Sequence, residues 1–135
     1  MGLSDCRVGA VIGVSDMDRA KEFYEGKLGL SGGEETPDGG HRYPCGGGTE
    51  IYVYPSPGNA GGSGATQAGW SVGDVKAMVD ELTAKGVTFE QYGEPINTDA
   101  KGVARFGAYA SAWFKDPDGN ILALASISLT TRANL

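Results

Sequence analysis

The sequence predicts an α+β fold made of two tandem modules, each with the order strand, helix and three strands. One observation is an internal repeat, in which residues 9–17 align with residues 67–75 at a constant offset and Asp16 aligns with Asp74. Another is that a helical pattern of apolar residues follows each copy and ends at a glycine. Because the repeat covers a strand and the start of a helix, it indicates a duplicated structural unit.

The first module begins with a strand and a helix. Alternating residues indicate a strand over Cys6–Val14. Ser15 and Asp16 then cap a helix, with Asp18 in the position that a capping box requires. The helix ends at Gly29, and its apolar stripe consists of Met17, Ala20, Phe23, Tyr24 and Leu28.

Three further strands complete the first module, which is predicted to span residues 6–55. Glycine and proline breaks within residues 30–45 indicate two short strands around a turn. The alternation over Thr49–Tyr54 indicates a longer third strand. Residues 56–65 hold proline, glycine, serine, asparagine and alanine only, which predicts a flexible connection to the second module.

The second module is predicted over residues 66–128. After a strand at Gln67–Val72, Asp74 caps a helix that ends at Gly86. The buried stripe of this helix follows the i, i+3, i+4, i+7 spacing and consists of Val75, Met78, Val79 and Leu82. Residues 87–92 are predicted to form a strand, and residues 93–107 to be irregular.

The second module closes with a hairpin, the most marked local pattern in the chain. Its turn is Asp116-Pro117-Asp118-Gly119, between the apolar pairs Trp113-Phe114 and Ile121-Leu122. Proline presets φ at the second turn position, the aspartates can cap local N–H groups, and glycine accepts a left-handed conformation. These features assign the turn residues a structural role.

Composition bounds the class of protein and its partners. A chain of 135 residues is expected to form one domain. Its net charge of −6, without a basic cluster, argues against nucleic acid or an anionic membrane as partners and suits a cationic or neutral ligand. The sequence has no long apolar run and no secretion signal, and the spacing of its two cysteines indicates no disulfide framework. We therefore expect a cytoplasmic protein.

The two modules resemble those of the vicinal oxygen chelate superfamily, which includes glyoxalase I, extradiol dioxygenases, fosfomycin-modifying enzymes and bleomycin resistance proteins. The resemblance rests on the segment from Val8 to Leu30, with its Ser15-Asp16-Met17 start, and on Phe114–Asn120. It implies a single glyoxalase-like domain over residues 1–135, in which the modules form a cupped eight-stranded mixed sheet with the helices on its outer face. The resemblance also implies a homodimer, although the sequence itself does not decide between monomer and dimer.

Enzymes of this family hold one divalent metal. Their ligands are a His or Gln on the first strand of each module and a Glu or His on the last strand of each. The matching positions here are Gly9, Gln67, Tyr52 and Ala123. Because glycine and alanine have no side-chain donor and a phenol is a poor ligand for such ions, Gln67 alone could serve. We expect no metal and no other cofactor.

Strand alternation and the resemblance together predict a ligand pocket inside the cup. The predicted ligand-binding residues are Glu50, Tyr52, Tyr54, Gln67, Ser71, Ser111 and Trp113. Aromatic walls with a few neutral hydrogen-bonding groups suit an apolar or aromatic ligand. The alternative for Tyr52 and Trp113 is that they fill the cup as core. Residues 93–107, which include Asn97, Thr98 and Asp99, are long enough for a lid, with a disordered loop as the alternative.

Three functions are consistent with these residues. The first, which the missing metal donors favour, is a metal-independent small-molecule-binding protein of the glyoxalase/bleomycin-resistance type that sequesters a drug or secondary metabolite. The second is a metal-dependent lyase or dioxygenase with the unusual ligands Glu50, Gln67 and His41. The third is a cofactor-free enzyme in which Tyr52, Tyr54 or Glu50 performs acid/base chemistry. No catalytic residue is assigned.

Overall fold

A computed structural model describes residues 2–126, and the chain divides after Gly61 into two compact units. Each unit holds one four-stranded mixed sheet, with its strands connected in the same order. The predicted α+β fold of two βαβββ modules is thereby confirmed. The predicted end of the second module at residue 128 lies outside the described residues. Within the described part of the chain, no helix is long and apolar enough to cross a membrane.

The first module forms sheet A, whose strands lie in the order β1-β4-β3-β2. The strands are β1 (Ala10–Val14), β2 (Glu34–Glu35), β3 (His41–Pro44) and β4 (Glu50–Pro55). β1 pairs in parallel with β4, and the other neighbours are antiparallel. β1 is shorter than the predicted Cys6–Val14 because its pairing with β4 begins at Ala10.

The helix of the first module, α1 (Met17–Lys21), continues as a π-helical segment over Glu22–Lys27. The wider turn shows in the bond from the Leu28 N–H to the carbonyl of Phe23, five residues earlier, at 2.9 Å. Asp16 is the cap, since its carboxylate accepts the N–H groups of residues 18 and 19. The predicted capping box with Ser15 is wrong, because the Ser15 hydroxyl instead accepts a bond from the Arg19 guanidinium.

The second module forms sheet B, with the strand order β5-β8-β7-β6. The elements are β5 (Thr66–Ser71), α2 (Val75–Ala84), β6 (Val103–Phe106), β7 (Tyr109–Lys115) and β8 (Ile121–Ala125). The Asp74 carboxylate caps α2 by accepting the Ala77 N–H at 3.0 Å, as predicted. Val75, Val79 and Leu82 of the predicted stripe are buried.

The second strand of this module is not where the sequence pattern placed it. Residues 87–92, predicted to be a strand, contribute one isolated bridge between Phe89 and Phe114. Val87 and Phe89 are both buried. Their two-residue spacing therefore arises because an extended segment packs alternate side chains into the core, and not because the segment pairs along a sheet. The real strand, Val103–Phe106, lies within the stretch that was predicted to be irregular.

The predicted hairpin turn is confirmed and is organised by Asp116. One carboxylate oxygen of Asp116 accepts the N–H groups of Asp118 and Asn120, each at 2.9 Å. The other accepts the side-chain amide of Asn120 at 2.8 Å. Asp116 and Asn120 are both buried, and Gly119 takes the expected positive φ of 92°.

Each sheet has two different faces, which we call the helix face and the distal face. On the helix face of sheet A lie the buried side chains Ile12, Val14, Tyr43, Ile51 and Val53. On that of sheet B lie Ala112, Phe114, Leu122 and Leu124, with Trp70 stacked near Phe114. The alternate residues of each strand point to the opposite, distal face. The alternation that predicted a strand here is confirmed for β1, in which Ile12 and Val14 are buried and Val11 is exposed.

Replacing Asp116 with alanine should lower the free energy of unfolding by about 2 kcal/mol or more, because three bonds in a buried turn lose their acceptor. The matched control is Asp80→Ala, which removes an ion pair between Asp80 and Lys101 that is about half exposed and should cost less than about 1 kcal/mol. Urea unfolding measures both. Equal losses in the two variants would contradict the role given to Asp116.

A second pair of variants tests the backbone of sheet A. Gly33 and Gly47 both have positive φ, but a Cβ on Gly33 would lie 1.8 Å from the Arg42 carbonyl oxygen, whereas one on Gly47 would meet nothing within 4 Å. Gly47→Ala should therefore cost only the backbone penalty of about 1 kcal/mol. Gly33→Ala should cost roughly 3 kcal/mol or prevent folding, and a thermal melt that ranks the two equally would refute this reading.

Candidate functional site

The distal face of sheet A carries the side chains of three predicted binding residues. Ile51 and Val53 of β4 are buried on the helix face, so Glu50, Tyr52 and Tyr54 project from the other side of the strand. The rings of Tyr52 and Tyr54 stack with their centroids 5.5 Å apart and an interplanar angle of 27°. These two tyrosines therefore form a continuous, half-exposed aromatic surface.

An ion pair lies at one end of this aromatic surface. Arg42 of β3 lies opposite Tyr52 in the ladder, and its Nε and Nη2 both donate to Oε1 of Glu50, at 3.2 and 2.7 Å. The hydrogen bond to Glu50 raises the pKa of the Arg42 guanidinium. The Glu50 side chain keeps about a third of its surface exposed, so it is accessible to solvent although it is paired.

A second carboxylate, that of Asp38, lies at the Tyr52 hydroxyl, and the sequence did not identify it. It belongs to the turn between β2 and β3, and its carboxylate accepts hydrogen bonds from the Tyr52 hydroxyl, the Thr36 hydroxyl and the Gly40 N–H. The Thr36 bond, followed by those from Tyr52 and Gly40, holds the pKa of Asp38 below its usual value. The bond to Asp38 raises the pKa of Tyr52, while Thr36 acts in the opposite sense.

Only the turn itself was visible at the sequence level. The run Thr36-Pro37-Asp38-Gly39 is a recognisable turn sequence, in which an aspartate bonds the N–H two residues on. Nothing local in it reveals that Tyr52, fourteen residues later, reaches the same carboxylate.

The distal face of sheet B carries Trp113 among small residues. In the ladder, Trp113 lies beside Ala123, which in turn lies beside Gly69. The next row holds Ser111, Ala125 and Ser71, so both predicted serines lie on this face with the tryptophan. The result is an indole flanked by side chains too small to cover it.

Tyr92, which the sequence analysis did not single out, packs against Trp113. The two rings meet edge to face, with centroids 5.6 Å apart. The Thr98 hydroxyl accepts the Tyr92 N–H at 2.7 Å and donates to the Tyr92 carbonyl at 3.2 Å. Asp99 accepts the N–H groups of Val103 and Lys101, which hold its pKa below the usual value. The segment predicted as a lid thus has a defined hydrogen-bonded structure that positions Tyr92.

Two residues of the alternative metal set occupy unsuitable positions. His41 is the first residue of β3. It lies opposite Val53 and so on the helix face, whereas Glu50 lies on the distal face. Its Nε2 lies 2.8 Å from the Gly32 carbonyl oxygen and therefore donates to it. Its buried Nδ1 has no hydrogen-bond partner within the described residues.

Gln67 does not follow the strand alternation that predicted its direction. The ladder of β5 with β8 passes from Thr66 to Ala68, so Gln67 lies in a bulge. Its side-chain amide donates to the carbonyl of Ala65 at 3.0 Å. Because alternation is interrupted there, it does not place Gln67 on the face of Ser71.

The family's metal positions do not fit a divalent ion in this chain. The strand register makes the last-strand positions equivalent, since Tyr52 lies opposite Val11 in sheet A and Ala123 lies opposite Gly69 in sheet B. The Tyr52 hydroxyl is committed to Asp38, and Ala123 has no donor atom. Among residues 2–126, no group of three or more His, Cys, Asp or Glu side chains could hold a metal.

The sequence matches the Glyoxalase/Bleomycin resistance protein/Dioxygenase superfamily over residues 8–124. The chain therefore belongs to this superfamily, and the expected family membership is confirmed. Among curated proteins, none matches the sequence significantly.

Solved structures share the fold at low sequence identity. A glyoxalase/bleomycin resistance protein from Catenulispora acidiphila DSM 44928 is 22% identical, with a TM-score of 0.65 over 90% of this chain and 98% of that one. An antibiotic-binding protein from Streptomyces sp. CB03234 is 24% identical, with a TM-score of 0.57 over 87% and 93%. The fosfomycin resistance protein FosX from Mesorhizobium loti is 16% identical, with a TM-score of 0.59 over 94% and 96%. At these identities the likeness shows the fold alone.

The hydrogen bond between Tyr52 and Asp38 should be visible in a tyrosine titration. Because it raises the pKa of Tyr52 in the folded state, the stabilisation it provides is present at neutral pH and is lost as the pH rises through that pKa. The difference in tyrosinate absorbance between the wild type and Tyr52→Phe should have its midpoint above the ordinary value of about 10. A midpoint at or below 10 would show that the bond is absent in solution.

Proposed function

We propose that this chain is a metal-independent small-molecule-binding protein whose ligand stacks on the paired rings of Tyr52 and Tyr54. The observation that carries the proposal is the aromatic surface itself: a phenol ring stands on the last strand of the first module, where family enzymes have a metal ligand, and a second ring stacks on it. Exposed aromatic faces bordered by a few polar groups suit an apolar or aromatic ligand.

Charge supports the same class of ligand. The chain carries a net charge of −6, and both Asp38 and Glu50 border the aromatic surface. A cationic group on an aromatic ligand would be attracted by the carboxylates and by the faces of the rings. The role of sequestering a drug or secondary metabolite follows as the finer proposal, and a structural neighbour described as an antibiotic-binding protein supports it.

We propose that the other predicted residues, Gln67, Ser71, Ser111 and Trp113, are ligand-binding residues of the second module. Of these, Trp113 has the most surface to offer, and Tyr92 gives it an aromatic neighbour. The two enzyme hypotheses have less support. His41 and Glu50 lie on opposite faces of sheet A. The bond to Asp38 raises the pKa of Tyr52, which makes loss of its proton less favourable.

Calorimetry with 2-naphthol as an aromatic probe tests this proposal. We expect binding that is unchanged by a chelator, together with a metal content far below one ion per chain by elemental analysis. Tyr54→Ala should weaken binding about tenfold or more, because it removes half of the stacking surface, whereas the control Tyr54→Phe keeps the ring and should bind nearly as well as the wild type.

Stoichiometric metal whose removal abolishes binding would refute the metal-independent function. Unchanged binding in Tyr54→Ala would show that the aromatic surface of sheet A is not the site. Quenching of Trp113 fluorescence by the same probe, in a Trp70→Phe background that removes the other tryptophan, tests separately whether the distal face of sheet B binds it.

A further inference from the structure

Asp38 fixes the direction of the hydrogen bond at Tyr52. An ionised carboxylate can only accept hydrogen bonds, and three groups donate to this one: the hydroxyls of Thr36 and Tyr52 and the N–H of Gly40. The single proton of the Tyr52 hydroxyl is therefore committed to Asp38. The Thr36 hydroxyl also lies beside the Tyr52 oxygen, but its own proton goes to Asp38. The Tyr52 oxygen can therefore still accept a hydrogen bond from a ligand.

Two neighbours restrict the Tyr52 ring. Gly40 lies so close to it that an added Cβ would be 3.0 Å from Cε1 of the ring. Tyr54 stacks on the face of the ring. Since neither the ring nor its proton can turn away without losing these contacts, the direction of the hydroxyl is a fixed feature of the distal face of sheet A.

The Glu50 carboxylate on this surface is also a hydrogen-bond acceptor. Glu50 accepts both bonds from Arg42 on one oxygen, Oε1, which leaves the acceptor capacity of Oε2 on a side chain that is about one-third exposed. Glu50 and Tyr52 are two residues apart on one strand and thus point the same way. A ligand lying along this strand therefore meets hydrogen-bond acceptors at both positions.

We infer that Asp38 is a positioning residue that acts through Tyr52, and that it makes the distal face of sheet A selective for ligands that present a hydrogen-bond donor to the edge of the stacked tyrosines. This inference rests on the proposed function, because it concerns the same surface. The inference adds two things to the proposed function. One is a residue, Asp38, that the sequence pattern assigned to a turn, and the other is a chemical requirement on the ligand. Aromatic amines, phenols and protonated heterocycles satisfy the requirement, whereas aromatic ethers do not.

Two neutral probes that share one ring system separate hydrogen bonding from stacking and charge. 2-Naphthol has a hydroxyl donor, and 2-methoxynaphthalene has only an acceptor oxygen at the same position. Wild-type protein should bind 2-naphthol about fivefold more tightly or better, the ratio that corresponds to one hydrogen bond of ordinary strength. Tyr52→Phe should bring the ratio of the two dissociation constants close to one while both probes still bind.

Asp38→Asn is the decisive variant. An asparagine amide can donate to the Tyr52 oxygen and release the hydroxyl proton, so the ratio should fall and 2-methoxynaphthalene should gain affinity. The midpoint of the Tyr52 titration, which is read without any ligand, should fall in the same variant. Charged and titratable groups around this pair are Tyr54, Arg42 and Glu50, and all of them are retained.

The control is Glu81→Gln, which removes one negative charge from the exposed side of α2 in the other module and should leave the ratio unchanged. Urea unfolding of Asp38→Asn and Tyr52→Phe checks that both variants fold.

Equal affinity of the two probes for wild-type protein, or a ratio that Asp38→Asn does not alter, would overturn the inference and leave the proposed function standing. Failure of both probes to bind wild-type protein would refute the proposed function and this inference together.

Discussion

Within each module, the placement of the side chains depends on one constraint, the parallel pairing of the first and last strand. Once Val11 lies opposite Tyr52, and Gly69 opposite Ala123, the two-residue period of a strand decides which side chains enter the core and which form the distal face. A shift by one residue would exchange Tyr52 with the buried Val53. The apolar side chains on the helix face thus determine where the polar and aromatic groups can be.

That constraint also explains how one fold can hold a metal in some proteins and an aromatic surface in this one. The strand register determines which ladder position holds a metal ligand in the family's enzymes. The residue type at that position can change without disturbing the core. Here this strand position holds Tyr52 in the first module and Ala123 in the second. In the first module the turn between β2 and β3 also contributes, because its Asp38 accepts a hydrogen bond from the Tyr52 hydroxyl. Family membership therefore specifies where to look, and the side chains specify the chemistry.

Much of the fold was predictable because local patterns determine it. Asp16 and Asp74 cap their helices, Asp116 organises the hairpin, and β1 and β4 alternate as expected. The predicted strand positions were wrong where contacts between residues distant in the sequence determine the structure. Residues 87–92 have the spacing of a strand but serve as core anchors, and Val103–Phe106 forms a strand because β7 lies beside it.

The same reasoning separates the predictable part of the site from the rest. Alternation placed Tyr52, Tyr54 and Glu50 on one face, and it could not place Asp38 or Tyr92, whose partners are far away in the sequence or across a loop. The position of His41 could not be predicted locally, because it follows from the pairing of His41 with Val53 across the sheet. A cytoplasmic location and a homodimer stay predictions.

The central claim is that aromatic side chains, and not a metal, bind the ligand. The most direct measurement is a nuclear magnetic resonance titration of the protein with assigned tyrosine ring signals, carried out once with 2-naphthol and once with Mn²⁺. We predict that 2-naphthol shifts the ring signals of Tyr52 and Tyr54 in a saturable way and that Mn²⁺ broadens neither. Selective broadening of these signals by stoichiometric Mn²⁺, with no shift on adding 2-naphthol, would contradict it.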